Sequence, residues 1–275
     1  MQAQAKTVRA NGIDIHYLEH GTGAPLVLLH GGLVSTNPIW TGHPFAYASH
    51  LDAFSEHFRV IAPDTRGCGR TRHVGGAMTF DVLADDVLAL IDALGLQRPH
   101  LCGFSEGGTV ATIAGLRRPG ATGAIVNDAG HDLFDPTRRS LAMMRQMFGG
   151  RPDATEANPD AMREMFERDE QMAPSFRLMQ ADQDGAQGTG HWKQYLGLAF
   201  DRFTRWPGYT FEHLKAITVP TMILCGDRDQ FCTVEDGALA FRALARGELA
   251  IVPNTGHVIT PAKVRQSIEF LRRAS

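Results

Sequence analysis

The chain has 275 residues, 43% of them hydrophobic, and its 27 Lys and Arg against 30 Asp and Glu leave a formal net charge of −3. A near-neutral charge without basic runs argues against nucleic-acid binding, and no apolar run reaches the roughly 20 residues that a helix needs to cross a bilayer. The first residues lack the apolar stretch typical of a secretion signal, so we expect a cytoplasmic protein.

Four cysteines are scattered along the chain, at Cys68, Cys102, Cys225 and Cys232. Their spacing contains neither a C-x-x-C pair nor the Cys and His intervals of a zinc site. Four cysteines in a chain this long also make no disulfide framework, which is typical of a reducing compartment. The sequence therefore predicts neither a metal site nor a cofactor.

Short apolar runs alternate with amphipathic helical patterns along most of the chain. Asn11-Gly12 predicts a hairpin turn between the first two strands, and six later runs without polar alternation are typical of strands buried on both faces of a parallel sheet. The predicted strands are 7–10, 13–20, 25–30, 58–64, 99–104, 123–128, 220–225 and 248–253, and the predicted helices are 80–94, 106–118, 234–245 and 262–273. This order predicts an α/β protein with a doubly wound, mostly parallel, eight-stranded sheet.

Residues 130–214 interrupt the alternation, because they contain helical patterns and prolines but no convincing strand. A connection of this length is too long for a plain crossover loop. We therefore expect a helical lid inserted after the sixth strand, with residues 1–129 and 215–275 forming the core. Seven methionines fall in the insertion, and flexible Met side chains suit an adaptable apolar pocket wall, although most of them are expected to pack the lid onto the sheet. These are Met143, Met144, Met147, Met162, Met165, Met172 and Met179.

The strongest chemical signal is the run 103–108, Gly-Phe-Ser-Glu-Gly-Gly, which directly follows a predicted strand and precedes a predicted helix. A G-x-S-x-G sequence in that context indicates a sharp strand-to-helix turn, in which the glycines permit close backbone approach and the serine takes a strained positive φ. The turn would expose Oγ of Ser105 at a helix N-terminus, whose partial positive charge favours a developing oxyanion.

A serine nucleophile needs a base, and the base needs an orienting carboxylate. His257 follows the last predicted strand, while Asp227 and Asp229 follow the strand before it. Both loops lie at carboxyl ends of strands, where open α/β sheets bind their ligands. We predict Asp229 as the acid, because it is the third residue after Gly226. Asp128, at the end of the sixth strand, stays an alternative.

Gly31 and Gly32 follow the third strand, in the run His-Gly-Gly. Such a loop can turn a backbone N–H inward, so the predicted oxyanion hole combines the N–H groups of Gly32 and of Glu106, the residue after the serine. The Glu106 side chain either disfavours anionic acyl groups or points to solvent.

Together these motifs resemble the α/β-hydrolase superfamily, and in particular the lidded serine hydrolases related to esterases, cofactor-free haloperoxidases and carbon–carbon hydrolases. The resemblance covers nearly the whole chain: the His-Gly-Gly loop, the run 64–71 (DTRGCGRT), the serine turn, Gly226-x-x-Asp229 and Gly256-His257. Relatives that open epoxides or remove halides carry Asp at the turn, so Ser105 argues against both activities.

The resemblance implies a serine hydrolase that cleaves an ester, thioester or lactone of a small, largely apolar substrate through an acyl-enzyme. The alternatives are a carbon–carbon hydrolase and a catalytically silent binding protein. A carbon–carbon hydrolase needs a buried cation for a substrate carboxylate. The candidates in the lid are Arg138, Arg139, Arg145, Arg163, Arg168 and Arg177. The expected partner is a small molecule, and the oligomeric state stays open, with a homodimer among the alternatives.

Overall fold

A single eight-stranded sheet organises the chain, in the strand order β1-β2-β4-β3-β5-β6-β7-β8. The computed structural model describes residues 3–137, 139–170 and 172–274. The strands are β1 (Gln4–Ala10), β2 (Ile13–His20), β3 (Pro25–Leu29), β4 (Arg59–Pro63), β5 (His100–Phe104), β6 (Ile125–Asp128), β7 (Thr221–Gly226) and β8 (Gly247–Val252). β1 and β2 run antiparallel to their neighbours, whereas β3 to β8 are all parallel. The predicted doubly wound sheet is confirmed.

Helices cover both faces of the sheet. They are α1 (Leu51–Ser55), α2 (Phe80–Ala93), α3 (Glu106–Arg117), α4 (Leu141–Gly149), α5 (Pro159–Glu167), α6 (Ala173–Gln187), α7 (His191–Arg205), α8 (Val234–Ala243) and α9 (Pro261–Arg273). Successive residues of a strand point to opposite faces, so Val27 and Leu29 pack with α2 and α3 while Leu26 and Leu28 pack with α1 and α9. No helix in the described part of the chain is both long and apolar enough to cross a membrane.

Strands β5, β6 and β7 lie side by side at the centre and bring three chemically important loops to one edge. Gly103 pairs with Asn127 across β5 and β6, and Asp128 pairs with Leu224 across β6 and β7. Because parallel strands end at the same edge, the residues after β5, β7 and β8 meet above the sheet although they are far apart in sequence.

The segment between β6 and β7 contains helices α4 to α7 and no strand among its described residues. Two of its prolines begin helices, since Pro159 is the first residue of α5 and Pro174 lies in the first turn of α6. Proline is favoured there, because the N–H groups of a first helical turn have no partner within the helix. We call residues 130–214 the helical insertion.

Three details differ from the prediction. β1 begins at Gln4 rather than at residue 7, because backbone pairing with β2 continues where the side chains show no apolar pattern. The short helix α1 was not predicted. The interpretation of the last run as a strand buried on both faces is wrong: β8 is an edge strand, and Ile251 is 42% exposed.

Candidate active site

The turn between β5 and α3 holds Ser105 in a conformation that few non-glycine residues adopt, with φ 52° and ψ −119°. The glycines on either side make this turn possible. A Cβ on Gly103 would collide with the backbone of Gly107, and a Cβ on Gly107 would collide with the carbonyl group of Leu29 in β3. A strained residue of this kind persists only where the surrounding structure enforces it, and such residues concentrate at functional sites.

A chain of hydrogen bonds connects Ser105 to a buried carboxylate. Nε2 of His257 lies 3.0 Å from Oγ of Ser105, and Nδ1 lies 2.9 Å from Oδ2 and 3.0 Å from Oδ1 of Asp229. The Asp229 side chain is fully buried, and its Oδ1 also accepts the backbone N–H groups of Phe231 and Cys232, both at 2.9 Å. Burial alone would raise the pKa of Asp229, but the imidazole and these two N–H groups outweigh it and lower the pKa.

The imidazole of His257 sits between two aromatic rings, Phe104 and Phe231, each with its centroid 4.9 Å away. Packing from both rings and the bond to Asp229 leave the ring little freedom. Its Nε2 therefore stays directed at the serine hydroxyl, as a general base requires.

The two competing aspartates have other partners. Asp227 is exposed and accepts the backbone N–H of Thr255 at 3.1 Å, and backbone hydrogen bonds in this turn lower its pKa. Asp128 is fully buried and forms an ion pair with Lys263 of α9, with 2.7 Å between Oδ1 and Nζ. Burial raises the pKa of Asp128, and the nearby ammonium group opposes this effect. Asp229 is the one of the three that bonds to His257.

Glu106 does not point to solvent, so that alternative is wrong. Its side chain is 1% exposed and is bound by Arg202 of α7, whose Nη2 and Nε lie 2.6 Å and 3.0 Å from Oε2. Burial alone would lower the pKa of Arg202, but the Glu106 carboxylate outweighs it and the pKa is raised. The sequence carried one signal for this pair, since an acid in a turn packed between the sheet and a helix needs a nearby cation once its side chain is buried.

The loop after β3 lies against the serine turn. Gly31 and Gly32 line the same cavity as Ser105 and Glu106, and an ideal Cβ on Gly32 would lie 3.2 Å from Oε2 of Glu106. Leu33, with φ 70°, donates its backbone N–H to the hydroxyl of Tyr195 at 3.4 Å. The two predicted oxyanion-hole residues are therefore neighbours at the cavity wall.

A cavity of about 150 Å³, partly open to solvent, lies between this site and the helical insertion. It is concave and its wall is mostly apolar, as is typical of small-molecule sites, and its volume suits a small substrate. Three of the seven methionines of the insertion line it, namely Met144, Met147 and Met172. Other members have different environments: Met162 and Met179 are buried in the core, and Met165 is 36% exposed. The remaining apolar lining residues are Leu33, Phe45, Phe104, Phe148, Phe166, Ala199, Phe203 and Phe231.

The arginines that the sequence offered for binding an anionic substrate do not line this cavity in the described part of the chain. Arg139, Arg163 and Arg168 pair with acidic groups, and Arg138 lies outside the described residues. Arg145 and Arg177 are not part of the cavity wall either. The cation that the sequence analysis missed, Arg202, is already bound to Glu106.

One group of side chains could in principle hold a metal, because ligand atoms of Asp229, Cys232 and His257 lie within 4.8 Å of one another. Burial, however, raises the pKa of the Cys232 thiol well above its usual value, and the thiol donates to Oδ1 of Asp132 at 3.4 Å. Since a metal needs the thiolate, the donor set suits proton transfer better than metal binding.

Comparison with known proteins assigns the family. Residues 24–261 match the family model of the alpha/beta hydrolase fold, and the chain belongs to this family. A non-heme haloperoxidase of Rhodococcus erythropolis and a bifunctional esterase/perhydrolase of Acinetobacter calcoaceticus are each 27% identical to it, over 90% of both chains compared. A putative carbamate hydrolase of Agrobacterium fabrum and a soluble epoxide hydrolase of a Corynebacterium align over only 39% and 32% of their own length.

Solved structures agree with the fold. An enol-lactonase from Burkholderia xenovorans LB400 superimposes with a TM-score of 0.73 at 20% identity, covering 97% of this chain and 100% of that one. A meta-cleavage product hydrolase from Pseudomonas fluorescens IP01 also gives a TM-score of 0.73 at 20% identity, covering 98% of each chain. The family and these relatives support a hydrolase activity.

Proposed function

We propose that the protein is a serine hydrolase that cleaves an ester, thioester or lactone with a neutral, apolar acyl group. The observation that carries the proposal is the hydrogen-bonded chain Ser105–His257–Asp229, which opens into an apolar cavity. Without the base and its orienting carboxylate a serine hydroxyl is a weak nucleophile, and this arrangement supplies both.

The reaction follows from the geometry. Oγ of Ser105 attacks the substrate carbonyl while Nε2 of His257 takes its proton, and Asp229 stabilises the resulting imidazolium. The backbone N–H groups of Gly32 and Glu106 stabilise the tetrahedral oxyanion. His257 then gives this proton to the leaving group, which departs and leaves the acyl-enzyme. In the second half of the reaction His257 takes a proton from a water molecule that attacks the acyl group, and it returns that proton to Oγ of Ser105.

The cavity wall supports the acyl specificity. Its apolar side chains favour hydrocarbon groups, and a substrate carboxylate would find no unpaired cation among the lining residues that the structure describes. Burying an unpaired anion is costly, so this wall disfavours the carbon–carbon hydrolase alternative. We also propose that the helical insertion acts as a lid, since helices α4, α5 and α7 and the residue before α6 supply much of the wall.

The proposal is tested by Ser105→Ala, assayed with p-nitrophenyl esters of graded chain length beside lactones and diketones. Loss of the nucleophile should lower kcat by four or more orders of magnitude, with thermal unfolding little changed. Ser55→Ala, at the end of α1 and away from the cavity, is the matched control and should keep full activity. An alkyl phosphonate should also label the wild-type protein with a stoichiometry of one phosphonate per chain. Retention of a tenth of the activity by Ser105→Ala would refute the acyl-enzyme mechanism, and a failure of the wild type to react with phosphonate would favour a silent binding protein.

A further inference from the structure

Glu106 places a negative charge where an ester hydrolase needs positive potential. It directly follows Ser105, its own N–H is one of the two proposed oxyanion donors, and its carboxylate packs against Gly32, which offers the other. In the transition state a full negative charge develops between these two N–H groups.

The expected effect of an uncompensated carboxylate can be sized. Two like charges about 6 Å apart at an effective dielectric constant near 20 repel each other enough to slow the reaction by roughly 100-fold. A site of this kind is efficient only if the carboxylate is neutralised or its charge is balanced nearby.

Arg202 supplies that balance from the helical insertion. Two of its nitrogens bind Oε2 of Glu106, Nη1 donates to the carbonyl oxygen of Met78 at 3.3 Å, and Nη2 lies 3.4 Å from the hydroxyl of Tyr195. The Arg202 side chain is completely buried, so solvent does not screen the pair.

The two titratable side chains next to the pair, Cys68 and Tyr195, are uncharged at neutral pH. Burial raises the pKa of the Cys68 thiol to about 12 and the pKa of the Tyr195 hydroxyl well above its usual value. Within this group of four side chains the charge is therefore set by Glu106 and Arg202, and it sums to zero while both are present.

We propose that Arg202 is a positioning residue for hydrolysis: it cancels the charge of Glu106 and holds that carboxylate away from the oxyanion. This inference rests on the proposed function and deepens it. It makes α7 of the insertion part of the machinery, because Tyr195, on the same helix, also accepts the N–H of Leu33 and so fixes the loop that carries Gly32.

The test is a double-mutant cycle with p-nitrophenyl butyrate at pH 8.5, using Arg202→Met, Glu106→Gln and the double variant. We expect Arg202→Met to lower kcat about 100-fold while KM changes less than threefold, because the repulsion acts on the transition state and not on the neutral ester. The double variant, which no longer carries the carboxylate charge, should recover at least tenfold of the lost kcat. Arg202→Lys keeps the cation and should lose less than tenfold.

Butylboronic acid provides a second readout, since it adds to Oγ of Ser105 as an anionic tetrahedral boronate. Its affinity should fall in Arg202→Met by the same factor as kcat/KM and recover in the double variant. Arg205→Met, an exposed arginine of α7 paired with Asp201, is the matched control and should leave both quantities unchanged.

Equal losses of kcat in Arg202→Met and in the double variant would show that the pair is only structural and would overturn the inference. So would a folded Arg202→Met with kcat within threefold of wild type. If Arg202→Met does not fold, the test uses Arg202→Lys and the double variant instead. A folded double variant whose kcat is below one hundredth of the wild-type value would then refute charge compensation. Every variant keeps Ser105, so phosphonate labelling separates a failure of this inference from a failure of the proposed function.

Discussion

The buried pair of Asp128 and Lys263 gives the sharpest prediction, because Asp128 is the competing candidate for the catalytic acid. Its Oδ1 lies 2.7 Å from Nζ, and the two side chains are 1% and 0% exposed. Asp128→Asn leaves a buried ammonium group without its counterion, and removing one partner of such a pair costs about 3–5 kcal/mol. For a chain of this size that lowers Tm by roughly 10 °C.

The same substitution should leave catalysis nearly intact, because Asp229 is the carboxylate that bonds to His257. We expect kcat on p-nitrophenyl butyrate within tenfold of wild type at a temperature where the variant is folded. The double variant Asp128→Leu/Lys263→Met removes both charges and should regain most of the lost Tm. Both quantities are measured on the same samples, by circular dichroism and by absorbance.

The refuting result is a variant Asp128→Asn with unchanged Tm and a kcat lowered by three orders of magnitude. That outcome would make Asp128 the acid and would reduce the bond between Asp229 and His257 to a structural contact. A loss of both stability and activity is separated by the double variant, which should restore Tm but not kcat if Asp128 is catalytic.

The other predictions concern the proposed acid, two glycines and the cavity wall. Asp229→Asn should lower kcat by about 10³ to 10⁴ with KM little changed. Because the pKa of Asp229 is lower in the folded protein than in the unfolded chain, its carboxylate stabilises the fold at pH values above the usual Asp pKa near 4. This contribution is lost as the pH falls below 4. The stability of the Asn variant should therefore depend less steeply on pH in acid unfolding than that of wild type. Gly107→Ala should lower the free energy of unfolding by more than about 3 kcal/mol, because its Cβ would strike the backbone of β3. The Cβ of Gly185→Ala in α6 meets open space, so this variant should raise Tm by about 2 °C. Thermal melts measure both effects. Met147→Trp should shift ester preference by at least two carbons toward shorter acyl chains, and an unchanged kcat/KM profile would contradict the lining role of Met147.

Much of the architecture could be predicted from local features of the sequence. The buried strands and the glycine pattern around Ser105 are short-range features, because a strand-to-helix turn with a positive φ requires small residues within two positions of the serine. The order of strands and helices then selects a parallel sheet, and a parallel sheet brings the loops after β5, β7 and β8 to one edge. Placing Ser105, Asp229 and His257 near one another required nothing more than this topology.

Tertiary structure decided which groups pair inside the site. Asp128 ends β6 and Asp229 follows the adjacent strand β7, so the sequence kept both as candidates for the acid although it favoured Asp229. In the structure Asp128 meets Lys263 of α9 and Asp229 meets His257. The partner of each aspartate depends on which distant segment packs beside it, α9 for Asp128 and the loop after β8 for Asp229, and that is a long-range property. The bond between Glu106 and Arg202 could not be predicted from the sequence for the same reason, since these residues are 96 positions apart and belong to different layers.

The helical insertion shows most clearly which features the sequence determines and which depend on tertiary packing. Its composition predicted helices and an apolar pocket wall, because helix periodicity and Met content are local properties. Which methionines face the cavity depends on how α4 and α5 rotate against their neighbours, and only packing fixes that rotation. Met147 therefore lines the cavity while Met162 fills the core.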